Sequence, residues 1–189
     1  GKSVNETIGG SLFINGRSDN TFFKLRATIL DFGDYRIPTN TIVYLTRPMP
    51  VENMRLKNTA GNEFDVYGQI GYVVSGFQTF VSASNVFQKL GFFPGAHGVP
   101  DLERVKDDGD SRNIGFPFQN VNHFKLLSNS RFIFNKSTLF IDLAFQNNLR
   151  EEWSAFHTHY PGHSAPEENT DLELGFRLNT YSANLKYEF

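Results

Sequence analysis

The residues best equipped for chemistry fall in one short stretch, "HTHYPGH", which puts His157, His159 and His163 within seven positions. Neutral imidazole ligates Zn, Cu, Fe and Ni, so three of them could capture a metal ion or a haem iron. No HExxH-type spacing accompanies them, and Gly and Pro mark the stretch as a loop. They therefore read first as solvated loop histidines, which together with His97 in "GAHG" are candidates to meet a ligand where loops converge. No resident metal or cofactor is expected. Asp107, Asp108 and Asp110 surround Gly109 and offer oxygen ligands of the kind calcium prefers, without the 12-residue spacing or terminal Glu of an EF-hand. An exposed, charged loop tip accounts for them. Glu151 and Glu152 are adjacent, so on a strand they face opposite sides and cannot act as a catalytic carboxylate pair. There is no G-x-S-x-G elbow, P-loop or Rossmann glycine pattern, and no cysteine to serve as nucleophile or thiolate ligand. An enzyme is not expected.

What must hold these residues is a chain of 189 residues with no composition break, which reads as a single unit over 1–189. The formal charge of −2 and the scattered Lys and Arg exclude the basic footprint of a nucleic-acid partner. Twenty Phe residues coexist with a polar mean hydropathy of −0.37. A soluble domain would hide so many rings in a core. A transmembrane barrel sets them on its outer band and keeps the alternate positions polar, which lowers the average. No apolar run approaches the ~20 residues of a membrane helix. The opening "GKSVNETIGG" has neither Met nor a secretory leader, as expected of a piece cut from a longer chain.

Period-2 alternation recurs along almost the whole sequence, so the chain is predicted to be all-β, an antiparallel up-and-down meander of about seven to eight strands. Val4, Ile8, Leu12 and Ile14 share one face of the first segment. After the turn "GRSDN", Phe23, Leu25, Ala27 and Ile29 share a face of the second, with Lys24, Arg26 and Thr28 opposite. Phe64, Val66, Ile70, Tyr72 and Val74 lead through "SGF" into Phe77, Thr79, Val81 and Ala83, a second hairpin. Phe124, Leu126, Phe132 and Phe134, opposed to His123, Lys125, Asn129 and Arg131, lead through "NKS" into "STLFIDLAFQNNL", a third. In that last segment Leu139, Ile141, Leu143 and Phe145 point one way, and Phe140, Asp142, Ala144 and Gln146 the other.

Between hairpins lie connections of about 30, about 30 and about 17 residues, longer than compact soluble domains usually carry. They alternate strictly with the short turns, the pattern of barrels with short periplasmic turns and long external loops. The segment from Thr138 to about Glu151 would span roughly 45 Å at ~3.3 Å per residue, more than a tilted membrane strand of about 9–11 residues needs. Its apolar alternation fades after Phe145 into "QNNLREE", as if the lower half met lipid and the upper half stood in water.

The stretches "DFGDYRIP", "RLKNTAGNE", "NVFQKLGFFPGAHG", "SRNIGFPFQNVNHFK" and "FQNNLREEWS" together resemble the TonB-dependent outer-membrane receptors of the Bacteroidetes type. The resemblance covers most of the chain. It implies a barrel of about 22 strands filled by an N-terminal plug and located in the bacterial outer membrane. Such receptors import iron chelates, haem, cobalamin or oligosaccharides with energy relayed by TonB. The matching region is an early part of the barrel following the plug, so the plug domain and later strands would be absent here. The partners implied are outer-membrane lipid, TonB and the plug through the full-length receptor, and a nutrient ligand at the external loops. Iron-chelate or haem uptake is the preferred class, given the loop histidines. Lys24, Arg26, Lys125 and Arg131 would face the lumen, where plug carboxylates could pair with them. The ending "SANLKYEF", with Ala183, Leu185 and Tyr187 on its apolar face, has the form of a terminal barrel strand and is read as a cut at a strand end. The alternative is a soluble β-sandwich or small β-barrel that binds a ligand or glycan through the same loops, its apolar faces turned inward.

Overall fold

The computed structural model describes residues 4–44, 46–94, 103, 105–156, 168 and 170–189. Seven long strands make one antiparallel meander: β1 (Ile8–Ser18), β2 (Thr21–Phe32), β7 (Gly61–Val74), β8 (Phe77–Gly91), β9 (Phe118–Ile133), β10 (Thr138–Trp153) and β11 (Leu172–Glu188), each paired with the next. The sheet is open, with β1 and β11 at its edges. The three expected hairpins are β1–β2, β7–β8 and β9–β10, and the three long connections all rise from the opposite end. The first of these connections is more structured than its sequence suggests. It holds β3 (Tyr35–Arg36) paired with β6 (Arg55–Leu56), and β4 (Thr41–Tyr44) paired with β5 (Arg47–Pro50). Strands this short, three of them within reach of a proline, show no alternation that a periodicity reading detects.

The first strand begins at Ile8, so Val4 is not part of its apolar face as the alternation suggests. Glu6 adopts φ 52°, which breaks the extended chain, and the carbonyls of Val4 and Asn5 instead accept the N–H groups of Arg36 and Gly33 at 2.9 and 2.8 Å.

Register sorts the side chains onto two faces. Val81 stands opposite Ile70 and Ser128, and Leu143 opposite Ser128 and Ala183, so the residues expected to share a face do so across the whole sheet. That face is bare. Leu12 is 64% exposed, Leu143 52% and Leu185 71%. Among the described residues the buried aliphatic side chains, Met49, Val51, Ala60 and Val105, all lie outside the seven-stranded sheet. The same face carries two aromatic rows. Phe64, Phe87, Phe124, Phe145 and Tyr181 run diagonally from near the loop end in β7 and β8 to mid-strand in β10 and β11; ring centroids of Phe124 and Phe145 are 6.3 Å apart, those of Phe145 and Tyr181 5.0 Å. Tyr72, Phe77, Phe132 and Tyr187 lie near the turn end, with Phe77 and Phe132 4.9 Å apart. Above the upper row the face turns polar, as Asn147 donates to Asn179 at 2.6 Å.

Both edge strands run from the loop end to the turn end, so joining β1 directly to β11 would require a parallel pair; an antiparallel cylinder needs an odd number of further strands. Ile133 donates its N–H to Gly76 and Phe134 to Ser137, which fixes the alternation of backbone direction through β9, β10 and β11. At the free edge of β11 the peptide groups of Tyr181, Ala183, Leu185 and Tyr187 therefore point outward.

In β2 three phenylalanines each lie across a glycine of a neighbouring strand: Phe23 over Gly16, Phe22 over Gly71 and Phe32 over Gly61. A Cβ added at Gly71 would stand 2.1 Å from the Phe22 ring, which is itself held 5.3 Å from Phe80. Gly71→Ala is expected to destabilise the sheet by about 1–3 kcal/mol through overpacking. Phe22→Leu should recover part of that loss, a coupling that a double-mutant cycle by denaturant unfolding would read.

Candidate functional site

The face opposite the bare aliphatic one is mixed and polar. Lys24, Arg26, Lys125 and Arg131 all project from it, as their alternation requires. Arg26, Tyr67, Ser84 and Lys125 occupy one row across β2, β7, β8 and β9. A cavity of about 830 Å³ opens here, lined by Ser11, Phe13, Lys24, Arg26, Asp65 and Tyr67 among others. Arg26 donates through Nε to the Ser11 hydroxyl at 3.2 Å, and Ser11 lies 2.9 Å from the Thr28 hydroxyl. Among the described residues Lys24, Arg26 and Lys125 enter no ion pair, so their charge is available to an occupant of this face. Arg131 differs: its guanidinium lies over the Phe140 ring at 5.3 Å. Asp142 accepts from Asn129 at 2.8 Å and Asn184 at 3.1 Å. His97, His157, His159 and His163 lie outside the described residues.

Above the sheet the first two long connections interlock into a polar cap, which sequence reasoning passed over. Asp34, 1% exposed, accepts the N–H groups of Thr59 and Ala60 at 2.7 and 3.1 Å and lies 3.8 Å from Lys57 Nζ. Lys57 donates to Asp108 at 2.6 Å and to the Asp110 carbonyl at 3.0 Å. Asn58 joins both connections: its Nδ2 donates to the Phe92 and Pro117 carbonyls, each at 2.7 Å, and its Oδ1 accepts the Gly115 N–H at 2.8 Å. Arg112 pairs with Asp31 and donates to the Glu6 carbonyl at 2.7 Å. Glu6 in turn receives Arg36 and Arg55. The available signal was the grouping of Lys57 and Asn58 with small residues in "RLKNTAGNE", polar side chains where a loop must satisfy its own backbone.

This network explains the acidic tip. Asp107 accepts from Asn53 and the Gly109 N–H, Asp108 from Lys57, Asn113 and the Asp110 N–H, and Asp110 from the Arg112 N–H. These are turn, asparagine and lysine contacts within the protein. Burial alone pushes the Asp108 carboxyl up, but the hydrogen bonds from Lys57, Asn113 and Asp110 outweigh it and hold its pKa at about 2. Glu6 is lowered too, chiefly by the hydrogen bond from Arg55, whereas burial pushes Asp34 up despite its N–H donors. A depressed carboxyl contributes stability that is present above its unfolded pKa, ~4, and lost as pH falls through the folded value. Asp34 has the opposite sign and offsets part of that loss. Amide protection at Asp110 and Gly115, corrected for intrinsic exchange, is expected to fall between about pH 4 and pH 2 while mid-strand amides of β8 and β9 stay protected.

No family model matches the chain, and neither a curated protein nor a solved structure matches it.

Proposed function

We propose that the chain is a section of wall and outer mouth of a TonB-dependent receptor, part of a closed outer-membrane barrel of about 22 strands that imports a scarce nutrient, an iron chelate or haem by preference. The observation that carries this is the aliphatic sheet face left bare between two aromatic rows. Soluble monomers rarely expose a contiguous apolar patch beyond a few hundred Å². From Phe124 to Phe132 is ~26 Å along the strand at ~3.3 Å per residue, and a strand tilt of ~40° reduces this to ~20 Å, close to the apolar band of a membrane barrel, ~25 Å. The segregation of short turns to one end and long connections to the other suits periplasmic and external sides. The open edges suit a larger cylinder, because unpaired peptide groups within hydrocarbon are several kcal/mol unfavourable.

On this reading the chain performs no bond chemistry. Its apolar face meets lipid, its polar face surrounds the plug, and Lys24, Arg26 and Lys125 pair with plug carboxylates. The plug couples to TonB, and the long connections, including the loop with His157, His159 and His163, meet the ligand. Single-cysteine scanning of β10 in the parent protein tests it, and this chain adds no cysteine background of its own. In intact outer membranes, cysteines at Leu139, Ile141 and Leu143 should react with a lipid-soluble photolabel. Those at Asp142 and Ala144 should react with a water-soluble maleimide once the lumen is opened by urea. A parent found in the soluble fraction, with the odd positions shielded from lipid reagents, would favour the sandwich reading.

A further inference from the structure

Glu6 is held in an unusual way. Arg55 Nη2 donates to its Oε1 at 2.9 Å, Arg36 Nη2 reaches the same oxygen, and Arg55 Nη1 and the Ser111 hydroxyl approach Oε2 at 3.4 Å each. Two guanidinium groups and a hydroxyl thus converge on one carboxylate. That carboxylate belongs to a residue whose φ of 52° is a region that favours glycine. Beside it opens a polar cavity of about 400 Å³, lined by Arg36, Asn53, Arg55, Asp107, Gly109 and Ser111. The volume is that of a small-molecule pocket.

We propose that the Arg36–Arg55 fork is a binding site for a small polycarboxylate, and that Glu6 is a resident stand-in which such a ligand displaces. Guanidinium forks take carboxylates through paired N–H donors, the strongest ordinary hydrogen bonds available. With Glu6 withdrawn, the cavity wall keeps two cations against one carboxylate, that of Asp107, which is engaged by Asn53 and the Gly109 N–H. Arg36 is paired with Glu6 through Nη2 yet 44% exposed, so an incoming ligand can reach this arm of the fork while Glu6 still holds Arg55. Glu6 competes as a tethered group, at high effective concentration, so a monocarboxylate cannot dislodge it; a ligand that brings two or three carboxylates can. Its departure would also loosen the segment before β1, which is tied to the first connection by the backbone bonds from Gly33 to Asn5 and from Arg36 to Val4. The site does not depend on what covers the apolar face, so it stands or falls separately from the membrane reading.

Calorimetric titration of tricarballylate into the full chain in detergent tests the proposal. Glu6→Ala should bind at least tenfold more tightly than the unchanged chain, and adding Arg55→Ala to it should abolish the gain. Glu6→Gln, which keeps the side-chain length, should also bind more tightly. In the unchanged chain, saturating tricarballylate should speed amide exchange at Gly33 and Arg36. The proposal is overturned if Glu6→Ala and Glu6→Gln keep the Gly115 amide protected yet bind no more tightly, if Arg55→Ala leaves binding intact, or if exchange at Gly33 and Arg36 does not change.

Discussion

If the sheet is membrane-barrel wall as proposed, Leu143→Arg should weaken folding into a lipid bilayer by about 2–4 kcal/mol, because Leu143 lies between the two aromatic rows, where an arginine would sit near the bilayer midplane. Depth is the diagnostic variable. Tyr187→Arg, in the row at the turn end, should lose only about 0–1 kcal/mol, since the guanidinium reaches the interface there. Ser182→Arg, opposite Ala144 on the polar face, should be close to neutral. Urea titrations of vesicle-folded protein would give all three values on one scale. A dry protein interior would penalise a charge by burial at each site rather than by height along the strand. Equal losses at Leu143 and Tyr187 would therefore contradict a lipid-facing surface.

Asn58→Ala is expected to open the loop cap while leaving the sheet paired. The substitution leaves the Phe92 and Pro117 carbonyls and the Gly115 N–H without their partner, at about 1–3 kcal/mol for each group that water cannot reach. It also forces alanine to adopt φ 62°, which asparagine tolerates better. A loss of at least about 3 kcal/mol in the local opening free energy of Gly115, read by amide exchange, follows from these two effects. Asn58→Gly separates them, because it relieves the backbone and still removes the three bonds. It should fall between the native protein and Asn58→Ala by about 1 kcal/mol.

The sheet was legible because each strand repeats one simple rule. Leu139, Ile141, Leu143 and Phe145 alternate with Phe140, Asp142, Ala144 and Gln146, mostly polar or small, and every hairpin is announced by Gly, Asn or Asp at a turn. Lys24, Arg26, Lys125 and Arg131 lie on the side of the sheet opposite the aliphatic face, as that period implies. The cap followed no period. Asp34, Asn58 and Glu6 act through partners 23 to 106 positions away, and no local pattern encodes that Asn58 will meet Gly115 or that Glu6 will meet Ser111. The four short strands were missed for the same reason, since β3 and β6 are two residues each and are held by what surrounds them.

The outward peptide groups of β11 belong to residues whose side chains lie on the aliphatic side, Tyr181, Ala183, Leu185 and Tyr187. Two copies meeting there about a two-fold axis normal to the sheet would match like with like and fuse their greasy surfaces into one ribbon of double width. That ribbon would carry its long connections at opposite ends, an arrangement no single bilayer orientation can accept. If the sheet belongs to a closed barrel as proposed, water permits the misassembly and closure by the remaining strands forbids it, so association of the isolated chain should rise with concentration in buffer and be absent from the parent protein in vesicles.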